Sequence, residues 1–186
     1  MAEKELEDEY FSRCQRGVHQ VGSRILQDTL KNFVTCNDLD TKVKSYNWDP
    51  KTKITKEENA LISNAAKDGY GKFDITLCYK LLRNLCMKIL AITPSNGWGK
   101  DPQNIQTAWG DDVERIRSLR NTIAHHDSQS LTKGEYKTIW DELKDIANRL
   151  QSRGINSGRD YADDLKQLED KREWKAIDSI SGMYQI

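Results

Sequence analysis

Arg120 and His125 stand five positions apart in the run Arg120-Asn121-Thr122-Ile123-Ala124-His125, and together they could hold an anion and move a proton. A guanidinium offers a planar fork of donors that fits phosphate or carboxylate bidentately. An imidazole titrates near neutral pH, so it can take or give a proton there. Asn121 adds an amide that can orient either partner or bond a phosphate oxygen. A structural alternative fits the same residues: Arg120 as an ion-pair partner and His125 as a C-terminal cap, where a protonated ring meets the helix dipole. Spacing alone leaves both open.

Val113, Ile116, Leu119 and Ile123 form one stripe at about 100° per residue, and Arg120 falls between Val113 and Ile116 in angle. Arg120 is therefore expected to be partly buried and to need a carboxylate, carbonyl or phosphate partner. Asn121 and His125 lie one turn apart on the flank of this helix, next to Arg117. Arg120 and His125 are separated by about 140° around the axis, so one straight helix cannot aim both at one atom. Either the helix unwinds at His125, which Asp127 and Ser128 favour, or a second copy completes the site.

The remaining elements read as helices. Phe11, Val18, Val21, Ile25, Leu30 and Phe33 predict a helix from Glu9 to about Phe33, weakened by Gly17 and Gly22 unless these permit close packing. Asn37-Asp38 predicts the cap of a second helix ending near Tyr46, and Asn47-Trp48-Asp49-Pro50 a turn. A third helix is expected over 56–67, closing at Asp68-Gly69-Tyr70-Gly71. The segment from Asp74 to Leu90 is the strongest core helix, with Ile75, Cys78, Leu82, Leu85 and Ile89 at alternating three- and four-residue steps. The stretch from Thr93 to Gly110 is a loop whose Trp98 and Trp109 should fold back onto the bundle. Asp111-Asp112 is expected to cap a helix to about His125, and another runs from Thr132 through Trp140 to Leu150. After a break at 153–158, a final helix from Arg159 to about Ile177 carries a thin stripe of Tyr161, Leu165 and Leu168. The expected architecture is an all-α bundle of about six to seven helices, with 1–152 as the bundle and 153–186 as a break plus a charged helix, packed on the bundle or acting as a linker.

The 186 residues suffice for one core, and 37% hydrophobic with 31% charged composition is that of a globular chain. No stretch approaches the roughly 18 consecutive apolar residues that a membrane span needs. The acidic start, Glu3-Lys4-Glu5-Leu6-Glu7-Asp8-Glu9, is unlike a secretion signal, so a soluble, cytoplasmic protein is expected. Cys14, Cys36, Cys78 and Cys86 form no Cys-x-x-Cys pair; reduced thiols and neither a metal nor another cofactor are expected. Lys plus Arg (29) equals Asp plus Glu (29), which removes any bulk field for nucleic acid and leaves only a local site.

The run Asp112-Val113-Glu114-Arg115-Ile116-Arg117-Ser118-Leu119-Arg120-Asn121-Thr122-Ile123-Ala124-His125-His126 resembles the signature helix of the HEPN superfamily, the higher eukaryote and prokaryote nucleotide-binding domains. Phe73-Asp74-Ile75-Thr76-Leu77 leading to Leu81-Leu82-Arg83-Asn84-Leu85-Cys86, then Gly97-Trp98 with Pro102, then that helix, resembles the branch named after the DAZ-interacting RNA-binding ubiquitin ligase. The resemblance spans about residues 8–152. It implies a helical bundle, a homodimer with two signature helices facing each other, and metal-independent endoribonuclease chemistry without a cofactor.

By that resemblance, Arg120 binds the phosphate, His125 is general acid or base, and Asn121 orients the histidine or bonds the phosphate. His126 is the alternative acid–base group, pointing about 100° further round. The carboxylates Asp111, Asp112, Glu114 and Asp127 around the site predict weak, salt-sensitive RNA binding. The competing expectation is a non-catalytic module of an innate-immune or ubiquitin-related protein, which self-associates or binds protein partners through the signature helix or the C-terminal one.

Overall fold

The structure is a computed structural model that describes residues 3–48, 53–86, 92–154 and 158–170. Its first helical rod begins earlier than the apolar pattern predicts, because acidic residues in the first turn favour the helix N-terminus. It comprises α1 (Glu3–Arg16), a six-residue π-helical stretch (Gly17–Gly22) and α2 (Ser23–Phe33). The two glycines bracket the π stretch, and Gly17 has a packing reason. A Cβ there would lie 2.6 Å from Cζ3 of Trp140 and 3.2 Å from Cδ2 of Leu143. The π stretch packs against the helices that follow, so the rod is the spine of the bundle.

The short helices α3 (Cys36–Ser45), α4 (Lys56–Ser63) and α5 (Ala65–Asp68) flank this spine. Thr35, rather than Asn37 or Asp38, caps α3: its hydroxyl oxygen accepts from the Asp38 amide at 3.2 Å. The helix expected over 56–67 is broken at Asn64. Of the turn at 47–50, Asp49 and Pro50 lie outside the described residues.

Helix α6 (Ile75–Leu85) is capped by Asp74, whose carboxylate accepts from the Leu77 amide at 2.8 Å. The buried Gln27 amide donates to the Phe73 carbonyl at 2.7 Å and so fixes the entry to α6 against α2. Cys86 is no longer helical, and the expected continuation through Ile89 and Leu90 falls outside the described residues.

Helix α7 (Trp109–Ala124) begins before the expected Asp111-Asp112 cap. Trp109 is thus a helical residue, edge-on to Phe33 at 5.3 Å, and Trp98 from the preceding loop packs edge-on to Tyr79 at 5.8 Å. Gly110 allows the 92–94 segment to cross the helix start; a Cβ would lie 2.2 Å from the Ile92 carbonyl oxygen.

Helix α8 (Lys133–Ser152) opens with a capping box in which Thr132 and Glu135 satisfy each other's backbone amides. It supplies Trp140, Leu143, Ile146 and Leu150 to the core. Helix α9 (Tyr161–Asp170) packs on the bundle through buried Tyr161 and Leu165, and the Tyr161 hydroxyl donates to Asp28 at 2.6 Å. The remainder of the expected final helix, to Ile177, lies outside the described residues.

The fold is all-α, with α6, α7 and α8 layered around the spine. Among the described residues, no helix is long and apolar enough to cross a membrane. All four cysteines are unpaired.

Candidate functional site

Helix α7 changes character along its length. From Gly110 to Ile116 every residue is buried, including Asp111, Asp112 and Glu114 with no exposure at all. The 92–108 loop encloses this half, so its polar groups must be satisfied by the protein itself. Asp111 accepts from the Ser95 amide and hydroxyl, both at 2.7 Å, and from the Ala108 amide at 2.8 Å. Glu114 accepts from the Tyr79 hydroxyl and the Gly99 amide at 2.7 Å and from Arg117 at 2.6 Å. Burial together with this contact pushes the Tyr79 phenol well above its ordinary value.

Asp112 is the hub of the bundle's charge. Arg149 bonds it at 2.6 Å, Arg153 at 3.1 Å and Arg115 at 3.2 Å, tying α7 to the C-terminal end of α8. The hydrogen bonding to Asp112 holds the Arg149 guanidinium above its ordinary value. The expectation that Asp111, Asp112 and Glu114 form a negative surface is therefore corrected. They are internal counter-charges and donor sinks, and Asp127 alone of the four is exposed. Sequence reasoning missed the Asp112 hub because its partners lie 37 and 41 residues away.

The second half of α7 is amphipathic. Leu119 and Ile123 are buried, Arg120 and Asn121 are half-buried, and Thr122, Ala124 and His125 are exposed. Arg120 Nη1 donates to Asn121 Oδ1 at 3.1 Å. Among the described residues it meets no carboxylate, in contrast to Arg115 and Arg117 on the same helix. Its expected partner is thus a neighbouring side-chain amide, and its remaining donors are not committed to an acid.

His125 is the C-cap residue, with φ −111° and ψ 16°, and its amide donates to the Asn121 carbonyl at 2.9 Å. The helix therefore ends at His125, the unwinding that Asp127 and Ser128 favour. The structure joins Arg120 to Asn121 directly and leaves the His125 ring apart from both, with no hydrogen bond among the described residues. His126 is differently placed. Its Nδ1–H donates to the Ser128 carbonyl at 2.7 Å, its Nε2 stands 3.7 Å from Glu135, and its ring lies 6.0 Å from Phe11. His126 thus anchors the α7–α8 connection while His125 faces outward.

The fold defined by these helices is an all-α bundle with a polar signature helix at its centre. The chain belongs to the DZIP3/hRUL138-like HEPN family, whose model matches residues 23–175. That match continues past α8 into α9, further than the resemblance read over residues 8–152. The same comparisons give no match to a curated protein or to a solved structure.

Proposed function

We propose that this HEPN domain acts on RNA as a metal-independent endoribonuclease, with Arg120, Asn121 and His125 of two copies forming composite sites across a homodimer. The observation that carries this reading is the contrast on α7, where Arg115 and Arg117 are committed to carboxylates and Arg120 is not. A half-buried guanidinium without an acid is preorganised for an external phosphate, and Asn121 fixes its plane. His125 is exposed at the helix end, where its ring can reach a second copy.

The 2′-hydroxyl loses its proton to a base and its oxygen attacks the adjacent phosphorus. The P–O5′ bond breaks, and the leaving 5′-oxygen takes a proton. The products are a 2′,3′-cyclic phosphate and a 5′-hydroxyl. His125 serves one of the two proton transfers, and Arg120 stabilises the charge that grows on the phosphoryl oxygens.

A labelled single-stranded RNA incubated with purified protein in EDTA tests this. Wild type is expected to yield cyclic-phosphate ends, and both His125→Ala and Arg120→Ala to lose them. Equal lack of product in all three removes the enzyme. One observation favours the competing reading, a non-catalytic interaction module: Ile105, 86% exposed on the loop over α7, offers an apolar contact for a protein partner. Under that reading, Arg120→Ala changes association state while RNA binding stays undetectable.

A further inference from the structure

A cleft of about 250 Å³ opens at the start of α8, following the connection that carries His125. Its floor is aromatic. Tyr10 of α1 stacks on Tyr136 with centroids 4.6 Å apart and planes inclined by 16°, and Tyr136 stacks on Trp140 at 5.7 Å and 23°. Trp140 is buried, whereas Tyr10 and Tyr136 are half-buried and line the opening.

The rim is charged. Asp141 is paired with Lys137, and Glu169 with Lys144 at 2.8 Å, so both carboxylates of the rim are already neutralised. Lys133, also on the rim, has no carboxylate partner among the described residues. A cationic ligand is disfavoured, because Arg13 sits 5.9 Å from the Tyr136 ring centre and Lys144 sits 5.9 Å from that of Trp140. Those π systems already have their cations. What fits an aromatic floor beside a free ammonium is a flat, uncharged ring that carries a negative group.

The cleft also belongs to the same end of the bundle as His125. On α1, the Glu7 carbonyl accepts from the Leu131 amide at 3.0 Å and Phe11 meets the His126 ring, so the stretch of helix bearing Tyr10 holds the α7–α8 connection. We propose that this cleft is a nucleobase subsite for single-stranded RNA. The base stacks on Tyr10, the outer end of the ladder, and its phosphate meets Lys133, an assignment that rests on the RNA-directed reading above.

Fluorescence anisotropy of a labelled short oligo(A), in a His125→Ala background, tests the subsite. Tyr10→Leu is expected to weaken binding about ten-fold, as loss of one stacked base does. Lys133→Glu is expected to weaken it and to lower the salt slope by about one. Urea denaturation checks that both variants remain folded. Binding unchanged by Tyr10→Leu, an abasic ribose-phosphate oligomer bound as tightly as oligo(A), or no oligo(A) binding by the parent overturns the subsite. Binding that depends on Tyr10, with no cleavage by wild type, keeps the subsite and removes the ribonuclease. Cleavage and binding both indifferent to Tyr10→Leu keep the ribonuclease and remove the subsite.

Discussion

Arg115, Arg117 and Arg120 share α7, yet among the described residues only the first two meet carboxylates. That difference separates a structural arginine from one available to a ligand, and stability measurements should register it. Asp112→Asn removes the buried negative charge that Arg115, Arg149 and Arg153 share, and is expected to cost about 3 kcal/mol in urea denaturation. Arg120→Ala removes one hydrogen bond to an adjacent amide and should cost under about 1 kcal/mol. A loss for Arg120→Ala as large as that for Asp112→Asn would make Arg120 a structural residue. The sequence makes the α7 stripe and the partial burial of Arg120 legible, because periodicity carries both. It does not reveal that Asp111, Asp112 and Glu114 are internal, since a charge run is ordinarily a solvated face. Only the 92–108 loop, folded over the helix start, reverses that rule.

At the scale of elements, the π stretch and the glycine before it set how the spine meets α8. Gly17→Ala pushes a methyl group into the Trp140 ring and is expected to destabilise by about 1–3 kcal/mol. Gly22→Ala meets only ordinary contacts, 3.4 Å to Ile116 and 3.5 Å to Ile75, so it should be neutral or stabilise by up to about 1 kcal/mol. Thermal unfolding of the pair checks this, and equal losses would contradict close packing as the role of Gly17. Helix existence is readable from the apolar steps for the longer helices, including α9, where Tyr161 and Leu165 of the thin stripe are buried and Leu168 is half-buried. Helix boundaries are less readable. Acidic first-turn residues extend α1 to Glu3, Asn64 breaks the 56–67 helix, and α7 starts at Trp109 because Asp111 accepts from the Ala108 amide. The Tyr10–Tyr136–Trp140 ladder is invisible in sequence, because its first ring comes from a helix distant in the chain.

At the scale of the whole molecule, Asp111, Asp112, Glu114 and Arg115 carry charge into the interior, and the core also holds thiols that resist ionisation. Burial pushes Cys14 up to about 12, despite Arg13 beside it, and Cys86 up to about 11, from an ordinary value near 9. A raised folded-state pKa means that the folded chain keeps its proton while the unfolded chain loses it. The stabilisation is therefore complete below about pH 9 and declines as pH rises towards 11 and 12. The urea midpoint should fall across that window, and Cys86→Ala should flatten the fall; an unchanged profile in that variant would assign the alkaline loss elsewhere.

The central claim is the proposed site shared between two copies, since among the described residues no hydrogen bond joins the His125 ring to Arg120 or Asn121 within one chain. Mixing Arg120→Ala with His125→Ala, each expected to be inactive alone, tests it most directly. Half of the random dimers are mixed, and one of the two sites in each then holds both intact residues, so about one quarter of wild-type cleavage should return. Wild-type cleavage with no recovery in the mixture would contradict a composite site.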